Sequence, residues 1–247
     1  MSVRQNRGMV ALIGTAAALA LLLFLMPALG PLFAWGFPDV EPPIYRFASF
    51  PRLFLTHLTI VAASSLASIA AALLLGVFVT RPAGREFRAL LGALAAIGQS
   101  IPPVAVLAIA VPVLGYGLWP TFLALAIYGF LPIVANVIAG IESVPVAVRE
   151  AAEGMGFSPF QILRSVELPL ALPVILAGVR TSVVINIGTA TIGSTVGAVT
   201  LGTPIISGLV GDKLPYVIEG ASVVALFAIA ADLGFEQIGR RLRVRAE

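Results

Sequence analysis

The sequence contains no cysteine, which excludes disulfide staples, thiolate metal sites and thiol catalysis. Histidine occurs once, as His57, and lysine once, as Lys213. A lone histidine offers no metal pair, and no nucleophile triad or paired-carboxylate constellation is visible beside it. Lys213 has no Gly-x-x-x-x-Gly run before it, so the chain carries no Walker-type phosphate loop. Charge is also scarce. Charged residues make up 11% of the 247 positions, against about a quarter in soluble proteins. Catalysis is not expected, and no cofactor or metal site follows from these residues.

What fills the space is apolar. Hydrophobic residues reach 59%, which places the chain in the membrane class. The net charge of +3 does not point to nucleic acid, because most arginines sit at the ends of apolar runs. That arrangement reports topology rather than a basic binding patch.

A helical span needs about 20 predominantly apolar residues. Met9–Leu29 predicts the first, behind Arg4 and Arg7; its apolar run outlasts a signal-peptide core, which favours a retained anchor. Asp39 to Arg52 reads as an outer loop and Leu53–Thr80 as span two. Arg81 to Arg88 makes a basic turn. Ala89 to Ile141 is uncharged and far too long for one span, so it must fold back. Gly115-Tyr116-Gly117-Leu118-Trp119-Pro120 supplies the turn between spans three and four. Leu170 to about Val196 predicts span five, an uncharged connection runs to Asp212 and Lys213, and Leu214 to about Asp232 or Phe235 predicts span six. Arg81, Arg85, Arg88, Arg149, Arg164, Arg240 and Arg241, with Arg4, Arg7, Arg243 and Arg245, then share one face. Arg46, Arg52 and Lys213 share the other. The first face is therefore cytoplasmic, with both termini.

Between spans four and five, Arg149 to Pro169 is amphipathic and charged. It predicts two short helices joined by Gly154 and Gly156. The first runs from about Pro145, with Ser143 as its N-cap. The second opens on a Ser158-Pro159-Phe160-Gln161 capping box and ends before Pro169.

Glu150-Ala151-Ala152, then Gly156, then Val166-Glu167-Leu168-Pro169 resemble the EAA loop of ABC importer permeases, with valine in place of the family's isoleucine. The resemblance implies an all-α, type I importer permease-like membrane protein of about six spans with a cytoplasmic coupling helix. It implies that Glu150, Ala151, Ala152, Gly156, Leu168 and Pro169 dock a separate ATPase subunit. From His57 to about Arg241 the chain also resembles the permeases of osmoprotectant importers for glycine betaine, carnitine or choline. The matching stretches are His57-Leu58, Gln99 to Pro103, Tyr128 to Ile133, and Arg180 with Ile187 to Thr191. Gly197-Ala198-Val199-Thr200-Leu201-Gly202 departs from that family's Gly-Ala-Gly-Gly-Leu-Gly. The implied organisation is an anchor and outer loop over 1–52, the permease domain over 53–241 with its coupling loop at 143–169, and a tail over 242–247. The implied partners are the ATPase, an external substrate-binding protein, a second permease copy or paralogue, and membrane lipid.

Among polar span residues, Gln99, Ser100, Asn186, Thr189 and Thr191 are candidates to line the translocation path, with helix packing the competing reading for the last three. Pro102 and Pro103 free backbone carbonyls, predicting either a kinked pore-lining helix or local repair by Gln99 and Ser100. His57 reads as a satisfied histidine rather than a proton relay. Ser64, Ser68, Ala72 and Gly76 form a small-residue stripe suited to helix contact. Arg180 predicts either a helix that begins well inside the cytoplasm, the favoured reading, or a side chain that snorkels. Glu236 and Arg240 are spaced for an i, i+4 pair. No clustered aromatic cage is visible, which leaves selectivity to the binding protein. An importer for another small solute such as an amino acid, an ion-driven secondary transporter and a transport-free scaffold are the other readings.

Overall fold

Apolar length sets the architecture. A computed structural model describes the backbone of residues 3–244 and the side chains of residues 8–242. Residues 245–247 of the expected tail lie outside the described residues, as do the side chains of Arg4, Arg7, Arg243 and Arg245 used above for orientation. Helix α1 (Val3–Leu25) continues through a 3₁₀ turn, Met26–Leu29, into α2 (Gly30–Gly36), and Gly8–Gly36 is long and apolar enough to cross a bilayer. Its inward residues Leu19, Leu23 and Met26 are buried, whereas Val10, Ile13 and Phe24 are left for lipid. Helix α3 (Phe50–Val79) is the second span.

The third crossing differs from a simple span. Helices α4 (Arg88–Ser100) and α5 (Pro103–Leu114) are separate and meet at 97°. Pro102 and Pro103 cannot donate to the turn before them, so the helix breaks at Ile101 instead of kinking gently. The expected turn follows, with Gly115 and Gly117 at φ of +76° and +115°. Helix α6 (Leu118–Glu142) returns.

The segment after α6 corrects three expectations. Ser143 does not cap α7 (Val146–Gly154); its hydroxyl donates to Gly140 O at 2.7 Å and closes α6 instead. Helix α8 (Pro159–Ile162) does not stop before Pro169. It passes through a π-turn, Leu163–Glu167, into α9 (Leu168–Thr189), so Pro159–Thr189 forms one crossing. The wider π-turn lies where the Pro169 ring would press on a carbonyl of the preceding turn, and the helix continues past it. Third, α9 ends at Thr189, short of the expected Val196. The uncharged connection that follows contains a 3₁₀ turn, Ile192–Val196, and a helix, α10 (Gly202–Val210). Helix α11 (Leu214–Val244) is the last crossing and outruns its expected end.

Helices α3, α6 and α9 form the central packing unit, with α11 against α9 and α10, and α1 against α11. Two apolar clusters fill it, one around Leu53, Leu125, Ile187, Tyr216 and Val223, the other around Ala72, Val134, Val137, Ile141 and Ala171. The small-residue stripe is buried as expected: a Cβ on Gly76 would lie 2.6 Å from Val137 Cγ1. The arrangement is an all-α membrane fold of five long spans plus the broken α4–α5 pair.

Candidate functional site

The elbow α7–α8 projects from the arginine-rich end of the bundle. Helix α7 ends where Gly156 adopts φ of +82°, and Phe157 N–H returns to Ala152 O at 3.1 Å. Ser158 and Gln161 close the capping box reciprocally: Gln161 N–H donates to Ser158 Oγ at 3.4 Å and Ser158 N–H to Gln161 Oε1 at 2.8 Å. Of the expected coupling residues, Glu150, Ala151, Gly156 and Pro169 are exposed, Leu168 is half-buried, and Ala152 is turned into its own chain. Large apolar side chains stay uncovered here, namely Val146, Met155, Phe157 and Phe160. An elbow pinned at both ends with bare apolar tips can pass rigid-body motion from a docked partner to the spans.

The residue that ties the elbow down was not singled out by the sequence. Glu167 is 2% exposed at the end of the π-turn. Arg81, just beyond α3, donates through Nη2 to Glu167 Oε2 at 2.6 Å, and also reaches Thr80 Oγ1. Arg149 of α7 approaches Glu167 Oε1 at 3.7 Å. One buried carboxylate therefore links α3, α7 and α9. Nearby, Arg88 of α4 pairs with Glu142 of α6 at 2.6 Å. In the sequence Glu167 is one residue of the Val166-Glu167-Leu168-Pro169 stretch; Arg81 and Arg149, which mark it out, come beside it only on folding.

At the double proline, Gln99 Nε2 donates back to Ala95 O at 3.3 Å and Ser100 Oγ to Ala96 O at 3.4 Å, so both side chains turn back onto their own helix, as the local-repair expectation has it. The Ile101 carbonyl, freed by the break, accepts from the Tyr128 hydroxyl of α6. Gln99, Ser100 and Ile101 line a recess of about 310 Å³ with Pro102, Pro103, Tyr128, Pro132 and Ile185. On α9, Thr181, Ile185 and Gly188 are exposed in one helical stripe beside it. Tyr128→Phe is expected to lower stability by about 1 kcal/mol, the usual worth of one hydrogen bond. Thermal unfolding in detergent measures it, and an unchanged midpoint would show that the hydroxyl does not hold the break.

Asn186 is not beside that recess. It is fully buried among α3, α6 and α9, with Nδ2 3.4 Å from Ser65 Oγ. Thr189 and Thr191 are half-buried further out, and Thr191 Oγ1 closes on Gly188 O at 2.7 Å. The structure thus brings Gln99 and Ser100 together and leaves these three apart from them. His57 is buried, and its Nε2 donates to Ile187 O at 3.0 Å. That carbonyl is one of those left over where α9 ends, so His57 acts as its C-terminal cap.

Arg180 lies well along the Pro159–Thr189 helix, which begins far ahead of it, and forms two 2.6 Å bonds to Asp232 of α11. The expected Glu236–Arg240 pair is present. Glu219, near the start of α11, is fully buried and accepts the Tyr45 N–H at 3.2 Å on both oxygens, fastening the outer loop to α11. Burial raises the Tyr45 hydroxyl above its ordinary pKa. Where the osmoprotectant-permease pattern has glycine, Thr200 is buried in a hydroxyl network. Its Oγ1 lies 3.0 Å from Ser194 Oγ and accepts from Gly202 N–H at 3.1 Å. The departure is absorbed by specific bonds.

A family model described as "Binding-protein-dependent transport system inner membrane component" matches residues 72–244. The chain is 38% identical over 211 residues to "Osmoprotectant import permease protein OsmY" of Salmonella typhimurium, covering 85% of this chain and 89% of that one. It is 38% identical over 186 residues to "Choline transport system permease protein OpuBB" of Bacillus subtilis, covering 75% and 85%. Among solved structures, an inward-facing MetNI methionine ABC transporter superposes with a TM-score of 0.69 at 24% identity, covering 77% of this chain and 94% of that one. This last likeness speaks for the fold alone. With the matched span, the relatives and the elbow agreeing, the chain belongs to the family of inner-membrane components of binding-protein-dependent transport systems, the permeases of ABC importers.

Proposed function

We propose that this permease carries a small osmoprotectant, such as glycine betaine or choline, inward across the membrane. Two copies, or this chain and a paralogue, enclose the path. Both termini and the elbow face the cytoplasm, where a separate ATPase docks on α7–α8. An external binding protein delivers the solute at the end that carries Tyr45 and α10. The relatives' names support the solute class. The observation that carries the coupling role is the elbow itself, with exposed Val146, Met155 and Phe160 around a glycine turn. Gln99, Ser100 and Ile185 are assigned to the path, because they line an open recess on the stripe of α9 that the rest of the chain leaves bare. Arg180 and Asp232 neutralise each other at 2.6 Å, so neither is a free ion site of the kind a gradient-driven carrier uses.

The test is ATP-driven uptake in vesicles holding the permease with its ATPase and binding protein. Nothing stands within 4 Å of a Cβ at Gly156, so Gly156→Leu perturbs only the turn. A left-handed leucine costs about 1–2 kcal/mol. Uptake of betaine or choline is expected to fall about tenfold while the protein stays folded. Undiminished uptake would remove the coupling role. Because the chain has no cysteine, Met155→Cys places one thiol on the elbow. Labelling of that thiol from outside alone would reverse the orientation.

A further inference from the structure

A second recess lies at the same end of the bundle and has no part in the transport scheme. It measures about 350 Å³ and is lined by Val79, Thr80, Arg85, Arg88, Ala89, Ile141, Glu142 and Arg149. Three of these are arginines from three different elements, against one carboxylate. Glu142 is already taken by Arg88 at 2.6 Å. Arg149 faces Glu167 only at 3.7 Å, and Glu167 has Arg81 at 2.6 Å. Arg85 forms no ion pair among the described residues, and Glu86 of its turn does not line the recess. The lining therefore holds an excess of about two positive charges.

The walls say which anion suits it. Val79 closes α3, Ala89 opens α4 and Ile141 ends α6, so the apolar side of the recess stands where the spans leave the hydrocarbon. Guanidinium groups complete the other side. Phosphate oxygens match the guanidinium fork, and a molecule with phosphate at one end and hydrocarbon at the other fits both walls. Basic pockets between span ends on the cytoplasmic side are suited to such headgroups. The elbow's exposed Val146 and Met155 are not among the lining residues.

We propose that the recess formed by Arg85, Arg88 and Arg149 binds the phosphate of an anionic phospholipid from the cytoplasmic leaflet. Arg149 also reaches the buried Glu167, so the bound headgroup sits one side chain from the linkage that fixes the elbow. Membrane charge and elbow position are connected through that arginine. The site depends on the spans and their ends, and stands whether or not the elbow docks an ATPase.

The experiment uses the full chain in detergent, with native mass spectrometry of retained lipid. Dioleoylphosphatidylglycerol is titrated against dioleoylphosphatidylcholine, and separately against sodium phosphate. The wild-type chain is expected to retain phosphatidylglycerol about tenfold more tightly than phosphatidylcholine. Arg85→Gln breaks no internal ion pair, so the fold is kept, and it is expected to weaken phosphatidylglycerol about fivefold while phosphatidylcholine is unchanged. Arg241→Gln, a charge removed from α11 elsewhere, leaves the preference intact. Equal retention of the two lipids by the wild type, or an unaltered preference in Arg85→Gln, overturns the site. Displacement of the lipid by millimolar phosphate would show that a free anion occupies the recess, and the lipid assignment falls.

Discussion

Replacing Arg81 by alanine is expected to destabilise the permease by about 3 kcal/mol, more than replacing its partner Glu167. The asymmetry comes from burial. The Glu167 side chain is 3% exposed and that of Arg81 is 28% exposed. Removing the arginine leaves a carboxylate in a dry site with Arg149 only at 3.7 Å, and stranding a buried charge costs about 3–5 kcal/mol. Removing the carboxylate as Glu167→Gln leaves an arginine that can turn toward water, which costs less, about 1–2 kcal/mol after discounting for screening. The double variant Arg81→Ala/Glu167→Gln should recover part of the loss, because no charge is then left behind. Chemical unfolding in detergent across the four-member cycle measures this. An additive cycle would show that the two residues do not act as a pair. The functional consequence is separable. With Glu167 neutral the elbow loses its tie to α3, so uptake is expected to drop more than ATPase binding does.

The elbow and the spans were legible because they depend on local rules. Apolar length fixes where α3, α6 and α11 lie. The Ser158–Gln161 box and Gly156 fix the turn by short-range backbone chemistry, and the structure shows them as expected. The connections that failed are those decided by distant neighbours. Nothing near Pro169 in sequence announces a π-turn that carries the helix past it. A double proline permits any bend, and the 97° between α4 and α5 depends on Tyr128 arriving from α6 to donate to the loose carbonyl at Ile101. Helix α10 lies in a stretch rich in glycine and threonine, and it packs on α11. The pairing of Arg180 was not readable because its counter-ion, Asp232, lies on another helix. For the site, Glu150, Ala151, Ala152 and Gly156 were readable from their spacing, and the role of Glu167 was not. A pattern identifies what a surface presents; which acid locks that surface in place is settled by arginines that fold beside it.

Gly129→Ala is expected to be among the damaging changes of a single methyl group in the spans. Gly129 sits on α6 where α3 and α9 cross it. A Cβ there would stand 2.7 Å from Asn186 Nδ2, 2.8 Å from Ser68 Oγ and 2.9 Å from Ser182 Oγ. None of these side chains can swing clear at low cost. Ser182 donates to the Gly129 carbonyl at 2.9 Å and Ser68 to Ala126 O at 2.7 Å, so each is held by the backbone of α6 itself. The methyl group must therefore push α6 away from α3 and α9 or break these bonds. Overpacking of this kind costs about 1–3 kcal/mol, and a lost bond between spans adds about 0.6 kcal/mol. Without water to take up a freed hydroxyl, the helices separate as a unit, and the α4–α5 break that rests on Tyr128, one residue before Gly129, moves with them. The expected result is a loss of about 3 kcal/mol, read as lower thermal stability of the purified protein and a smaller folded yield in membranes. Asn186→Ala removes the nearest obstacle. In combination it should return a good part of that stability, since Asn186 Oδ1 has no partner among the described residues to lose. If Gly129→Ala is neutral, the three helices are looser than these distances require, and the small-residue stripe on α3 reflects composition instead of close contact.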